Sequence, residues 1–206
     1  MTTTTAAAEP KPYHHGDLRR ALLQAAVTIV ERDGANALTL RAVARGAGVS
    51  PAAPYHHFKD KDELLQEVAR EGFRRLRGTM SGHASSLEPY SREIAYIEFA
   101  HDHPALYRVM YDCARNMERL PIGDNLDDDG VRIMHKALLG ISVGKVNDID
   151  LAVTAIAAWC ACHGLAEISS FAQFDQLKDA MGGEREFLKA MFERFATFRT
   201  GKKPAA

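Results

Sequence analysis

A chain of 206 residues with 46% hydrophobic and 26% charged side chains has the composition of one or two packed domains, not of a disordered polymer. No apolar run reaches the roughly 18 residues that span a bilayer, and none opens the chain as a secretory signal would, so the expected setting is the cytoplasm, without a membrane partner. The net charge of −1 is unevenly placed: residues 1–80 hold 12 Lys and Arg against 9 Asp and Glu, whereas the remainder holds 14 against 18.

A basic front and an acidic back suit a head that meets nucleic acid on a body that avoids it. Cys113, Cys160 and Cys162 are odd in number and follow no disulfide pattern. On a helix, Cys160 and Cys162 would face about 200° apart and could not grip one metal. They read as small hydrophobes in a reduced compartment, and neither metal nor cofactor is expected.

Residues 1–12 carry two prolines and no periodicity, which predicts a tail. Lys11, Tyr13, His14 and His15 either form an arm for a minor groove or belong to that leader. Gly16 to Asp33 reads as a helix, with Leu18, Ala21, Leu22, Ala25, Ala26, Ile29 and Val30 on one stripe and Gly34 as its stop. Its polar face carries Arg19 and Arg20, read as solvated charge.

The most informative stretch is Thr39 to Lys61, TLRAVARGAGVSPAAPYHHFKDK. Leu40, Val43, Ala44 and Ala47 recur at the spacing of one buried helical face, and Gly46 and Gly48 break that helix, Gly48 supplying positive φ. Ser50 reads as an N-cap, Pro51 as the first residue of a second short helix reaching His57, and Phe58 as its apolar anchor. Two short helices about a glycine turn predict a helix-turn-helix whose second member enters a major groove. Thr39 opens the first of the pair, as a helix cap, as a phosphate contact through its hydroxyl and nearby N–H groups, or as both. Arg41 suits a bidentate contact to guanine O6 and N7; Arg45, one turn on, reads as a phosphate contact or a solvated charge. Pro51, Ala52, Ala53 and Pro54 carry no side-chain donor, so their readout is apolar, chiefly against thymine methyls, and specificity leans on Arg41, Tyr55 and DNA shape.

The runs TLRAVARGAGVS and PYHHFKDKDELL, preceded by ERDGANALTL, resemble the DNA-binding head of TetR-family transcriptional regulators. The resemblance implies that the position of Arg41 contacts DNA, that Tyr55, His56 and His57 clamp backbone phosphates, and that Lys61 binds a phosphate. Lys59 is a weaker version of Lys61. A packing role for Tyr55 or His57 against the first helix stays open. The expected DNA face is therefore Thr39, Arg41, Arg45, Ser50, Pro51, Ala52, Ala53, Tyr55, His56, His57 and Lys61.

From Asp62 to about Gly82 a long helix follows, capped by Asp60, with Leu64, Leu65, Val68, Phe73 and Leu76 on its apolar side and Arg70, Arg74, Arg75 and Arg77 as a solvated basic face. Helices are expected over Pro89 to Asp102 and Pro104 to Tyr111, a loop over 113–128, and helices over Val131 to Val146, Leu151 to Phe171 and Arg185 to Phe198, with a turn at Gly182-Gly183. The string YIEFAHDHPALYRVMY resembles the body of TetR-like regulators with a WHG-type C-terminal domain. Trp159, His163 and Gly164 match its landmark, but with three residues between Trp159 and His163.

Apolar walls with polar tips suit a small-molecule pocket, and the candidates are Phe99, His103, Tyr107, Met110, Tyr111, Met134, His135, Trp159 and His163. For each, plain core is the competing reading; His163 is either a ligand partner or a histidine satisfied by a helix carbonyl. No strand-turn nucleophile, phosphate-cradling loop or His-Glu-x-x-His pair marks an enzyme, and no catalytic residue is assigned. The expected fold is all-α: an N-terminal three-helix helix-turn-helix DNA-binding domain (13–62) plus a C-terminal helical ligand-binding and dimerisation domain (63–200), between tails at 1–12 and 201–206. The expected function is a ligand-responsive regulator, a repressor. It would bind a palindromic double-stranded DNA operator as a homodimer through its last two long helices, and a small hydrophobic effector would release it by shifting the long helix after the head. The alternatives are a helical ligand-binding protein that has lost DNA binding, and an enzyme.

Overall fold

The computed structural model describes residues 15–83, 85–116 and 149–200. Every regular element among them is helical. The chain divides into two compact units, Met1–Leu65 and Gln66–Ala206.

In the first unit, helix α1 (His15–Asp33) buries Leu22, Ala26, Val27, Ile29 and Val30. Val27 lies in the core where the sequence pattern omitted it. Ala21, expected on the stripe, is exposed, and Leu18 and Ala25 are half-buried, because a 3.6-residue period leaves the edges of a stripe undecided. Gly34 (φ 80°) ends the helix and donates its N–H to the Val30 carbonyl at 2.9 Å. A single 3-10 turn, Ala35–Ala37, leads to α2 (Leu40–Gly46), which buries Leu40, Val43 and Ala44 and packs on α1. A Cβ on Gly46 would stand 3.4 Å from that of Ala25, so the two helices approach closely there.

The end of α2 has the two reverse hydrogen bonds of a Schellman turn: Val49 N–H to Ala44 carbonyl (3.0 Å) and Gly48 N–H to Arg45 carbonyl (3.2 Å). That geometry puts the residue after the cap at positive φ, and Gly48 sits at 68°. The second short helix differs from expectation. It is not an α-helix from Pro51 to His57 but a 3-10 turn, Ala53–His56, preceded by an irregular Pro51-Ala52. Proline accounts for this: an α-helix started at Ser50 would close its first bond from residue 54 to the Ser50 carbonyl, and Pro54 has no N–H. Ala53 instead donates to that carbonyl at 3.0 Å, and Ala53, preceding Pro54, is itself disfavoured in the α region.

Helix α3 (Lys61–Gly82) begins at a cap that the sequence foretold. Asp60 accepts the Glu63 N–H at 2.9 Å, and Glu63 reaches back to the Lys59 N–H at 2.7 Å. Leu64, Val68, Ala69, Phe73, Leu76 and Met80 are buried. Arg70 and Arg74 of the expected solvated basic face stay exposed, and with Arg75 they pair with Glu67 and Glu71 three or four residues earlier.

In the second unit, α4 (Ser91–Asp102) starts two residues later than Pro89, because Tyr90 caps it in the left-handed region (φ 60°, ψ 17°). Tyr90 stacks on Phe192, with ring centroids 5.5 Å apart. Helix α4 buries Ile94, Ala95, Tyr96, Ile97, Phe99 and Ala100, most of its circumference, and packs against α5 (Pro104–Asn116), α6 (Ile149–Ile168) and α8 (Glu184–Thr200). Helix α5 runs past Tyr111, so residues 113–116 are helical and not the start of a loop. The rest of that loop and the helix expected over Val131 to Val146 lie outside the described residues. The helix expected to reach Phe171 ends at Ile168; a 3-10 turn (Ala172–Phe174) and an unexpected short helix α7 (Asp175–Ala180) follow. Gly182 and Gly183 (φ 92° and 117°) make the expected turn into α8. Arg185 of α8 bonds both Glu88 (2.6 Å) and Glu98 (2.7 Å), and Lys189 bonds Glu88 (2.6 Å), tying α8 to α4 and its lead-in.

Candidate nucleic-acid interface and effector site

In the head, Thr39 is a helix cap: its hydroxyl oxygen accepts the Ala42 N–H at 3.0 Å, and its side chain stays at the surface. Arg41 and Arg45 are exposed and lie four apart, on one face of α2. Ser50, Pro51 and Ala52 are exposed, and Ala53 is half-buried. Ser50 does not cap the following turn, whose N-cap is Ala52 without a side-chain bond. Pro54, grouped with the readout residues from sequence, is buried and faces the core.

Tyr55 is 55% exposed, and His56 is exposed beside it. His57 is half-buried, its ring 6.5 Å from that of the buried Phe58. Phe58 is held by a contact the sequence reading missed: the Arg19 guanidinium lies 5.3 Å from its ring centroid. Arg19 is thus part of the scaffold and not an idle surface charge. Lys59 is exposed, and Lys61, first residue of α3, is half-buried.

In the body, four of the proposed effector residues come together. Tyr107 and Tyr111 of α5 meet Trp159 and His163 of α6, with Tyr107 and Tyr111 ring centroids 5.6 and 4.5 Å from His163, and Trp159 6.2 Å from Tyr111. A fifth member, Tyr96 of α4, was not foreseen, yet it is the hub. Its hydroxyl lies 3.0 Å from that of Tyr107, 2.6 Å from that of Tyr111 and 3.5 Å from His163 Nδ1. Tyr107 also meets His163 Nδ1 at 2.6 Å, so a tyrosine hydroxyl is one partner of that imidazole.

Burial pushes the Tyr96, Tyr107 and Tyr111 hydroxyls far above the ordinary phenol range, so all three stay neutral donors and acceptors. Phe99 and His103 form their own pair at 4.8 Å, and Met110 is buried against Gly72 of α3. Met134 and His135 lie outside the described residues. His101 ties α4 to α6, its Nε2 3.0 Å from the Ala166 carbonyl and 3.3 Å from the Ser169 hydroxyl. Cys162 is buried, and burial raises its thiol, whereas Cys160 is exposed; the two face different ways. Among the described residues no three His, Cys, Asp or Glu side chains are placed to hold a metal, and no helix is long and apolar enough to cross a membrane.

Comparison with known proteins agrees with both halves. Residues 22–68 match the family described as bacterial regulatory proteins, tetR family, and residues 94–195 match the tetracyclin repressor-like C-terminal domain. The HTH-type transcriptional regulator BetI of Rhizobium meliloti is 31% identical over 110 residues, 50% of this chain and 54% of that protein. The HTH-type transcriptional repressor KstR2 of Mycolicibacterium smegmatis is 30% identical over 118 residues, 53% of this chain and 56% of that one. The chain thus spans little more than half the length of these curated relatives. A solved protein of unknown function from Rhodococcus sp. RHA1 is similar along almost its whole length, with 30% identity, 93% and 98% of the two chains covered and a TM-score of 0.66. With both its head and its body matched in this way, the chain belongs to the TetR family of bacterial regulatory proteins.

Proposed function

We propose that the protein is a cytoplasmic, ligand-responsive repressor that binds a palindromic operator as a homodimer. The observation that carries the reading is the surface of the head: a turn that exposes Ser50, Pro51, Ala52, Tyr55 and His56 follows a helix that presents Arg41 and Arg45 to solvent, and Lys59 and Lys61 come directly after it. Cations around a small, partly exposed turn suit a phosphate-lined major groove. The relatives named as transcriptional regulators and repressors support the same reading.

Dimerisation through α6 and α8 is supported by apolar surface there. Ala157, Cys160 and Ile168 of α6 are exposed, a Cβ added at Gly164 would meet open space, and Phe195 of α8 is exposed. Those α6 positions recur at three- and four-residue steps, one face of a helix awaiting a partner. The Tyr96–Tyr107–Tyr111–Trp159–His163 cluster supplies polar tips within aromatic walls, which suits a small, mainly hydrophobic effector. Bound there, it would favour a dimer whose heads no longer match the groove spacing of about 34–36 Å or a multiple of it.

Selection of bound duplexes from random sequence tests the proposal: an inverted repeat is expected, and its absence would refute operator binding by a dyad. Arg41→Ala should then lose about 1–3 kcal/mol of discrimination at one position per half-site. Equal loss on every sequence would make Arg41 a phosphate contact.

A further inference from the structure

We infer that the tip of the head reads thymine 5-methyl groups through Ala52 and Pro51, a determinant of specificity separate from the polar contact of Arg41. The inference rests on the reading of the head as a DNA-binding module and names what that module recognises. The exposed tip is poor in donors for two separate reasons. Its side chains at Pro51 and Ala52 are hydrocarbon. Its backbone is also largely spent: Pro51 and Pro54 have no N–H, and the N–H groups of Ala53 and Tyr55 turn inward to the Ser50 and Ala52 carbonyls at 3.0 and 3.2 Å.

Pro54 is buried, so the hydrocarbon that faces outward narrows to Pro51, Ala52 and part of Ala53. Within a major groove, the one apolar feature that distinguishes base pairs is the thymine methyl. The surroundings fix the partner as DNA and not an apolar peptide. Arg41, Arg45 and Lys59 are exposed nearby in sequence, and of the acids that follow, Asp60 caps α3 and Glu63 accepts the Lys59 N–H, while Asp62 is exposed. Two prolines and a 3-10 turn leave this tip little freedom to re-aim, so the contact is one of fixed shape. Polar reading of bases is left to Arg41, with the Ser50 and Tyr55 hydroxyls at the margins.

The test uses the full-length protein and its selected operator, with each thymine replaced in turn by deoxyuridine, which removes only the methyl. Affinity should fall about fourfold at one or two adjacent positions per half-site, the worth of one buried methyl, and stay level elsewhere. Ala52→Gly should abolish that sensitivity at one position without changing the salt slope. Ala52→Ser, which keeps the Cβ and adds a donor, should alter the preferred base there. A flat deoxyuridine scan on a duplex still bound in a sequence-specific way would overturn the inference and leave operator binding intact. Full deoxyuridine sensitivity retained by Ala52→Gly would overturn the role of Ala52. Selection that returns no repeat would overturn both this inference and the proposed function.

Discussion

Replacing Tyr96 by Phe asks whether three buried hydroxyls in the body act as one chain. Tyr96 is fully buried on α4, and its hydroxyl touches those of Tyr107 and Tyr111 at 3.0 and 2.6 Å. Phenylalanine fills the same space, so the change is confined to the central oxygen. Tyr107 and Tyr111 are themselves buried, and both lose a partner where water is scarce. Tyr107 keeps its contact with His163, so the loss is that of removing one shared buried hydroxyl, about 2 kcal/mol. With a urea slope of about 2 kcal/mol per molar, the midpoint falls by about 1 M.

Trp159, the single tryptophan, lies 6.2 Å from the Tyr111 ring, so its fluorescence reports unfolding at the altered site. Protein concentration is held constant, since dimerisation would move the midpoint. Adding Tyr107→Phe should cost less than the two single losses combined, by about 1 kcal/mol, because both remove the same 3.0 Å bond. A single loss below about 0.5 kcal/mol, or single losses that add within about 0.5 kcal/mol, would refute the chain.

Acid should act on the Glu88 cluster. Arg185 and Lys189 hold the Glu88 carboxyl down to about 2 from an ordinary value of 4.5. A depressed carboxylate stabilises the fold fully above its unfolded value and loses that contribution as pH falls toward the folded one. The gap in urea midpoint between the parent and Glu88→Gln should therefore hold steady at neutral pH and close between 4.5 and 2; a gap independent of pH would refute the pairing. Gly48→Ala places a Cβ at φ 68° and should cost about 1–2 kcal/mol in thermal unfolding, Gly48→Asn less; equal stability of all three would contradict the left-handed turn. Gly72→Ala puts a Cβ 2.6 Å from Met110 Cγ and Sδ, an overlap costing about 1–3 kcal/mol against a helix gain of up to about 1, so a net loss in urea midpoint is expected.

Much of the head could be read directly because its signals are local. Thr39, Gly48 and Asp60 each act within three to five residues, and each does in the structure what its residue type suggests. The departure at Ser50–His57 is also local: a serine-proline start favours a helix, but the second proline, Pro54, lacks the N–H that the first α-helical bond needs. Glu67 and Glu71 stand three or four residues before Arg70, Arg74 and Arg75, a spacing from which their ion pairs are legible.

The hub role of Tyr96 is of another kind. Its partners come from 11, 15 and 67 residues away, and no periodic pattern on α4 marks that Tyr96 will face them. Helix spacing does put Tyr107 and Tyr111 on one face, and likewise Trp159 and His163, so these four of the nine candidates can meet once α5 and α6 pack. That the Tyr107 hydroxyl would meet the imidazole depends on how α5 and α6 pack, a tertiary fact. The cation over Phe58 was hidden for the same reason, since Arg19 and Phe58 are far apart in the chain.

The gap opposite Met110 constrains how this protein can drift. At Gly72 the separation of α3 and α5 is set by an absent carbon, into whose place the thioether side chain has moved. Neither position can change freely by itself: enlarging residue 72 first creates a collision, and trimming residue 110 first leaves a void. A lineage that exchanged the pair would have to pass through one of those weakened intermediates, and the void is the more survivable because surrounding side chains can sag into it. The order of substitutions, as well as their identity, is thereby written into the contact.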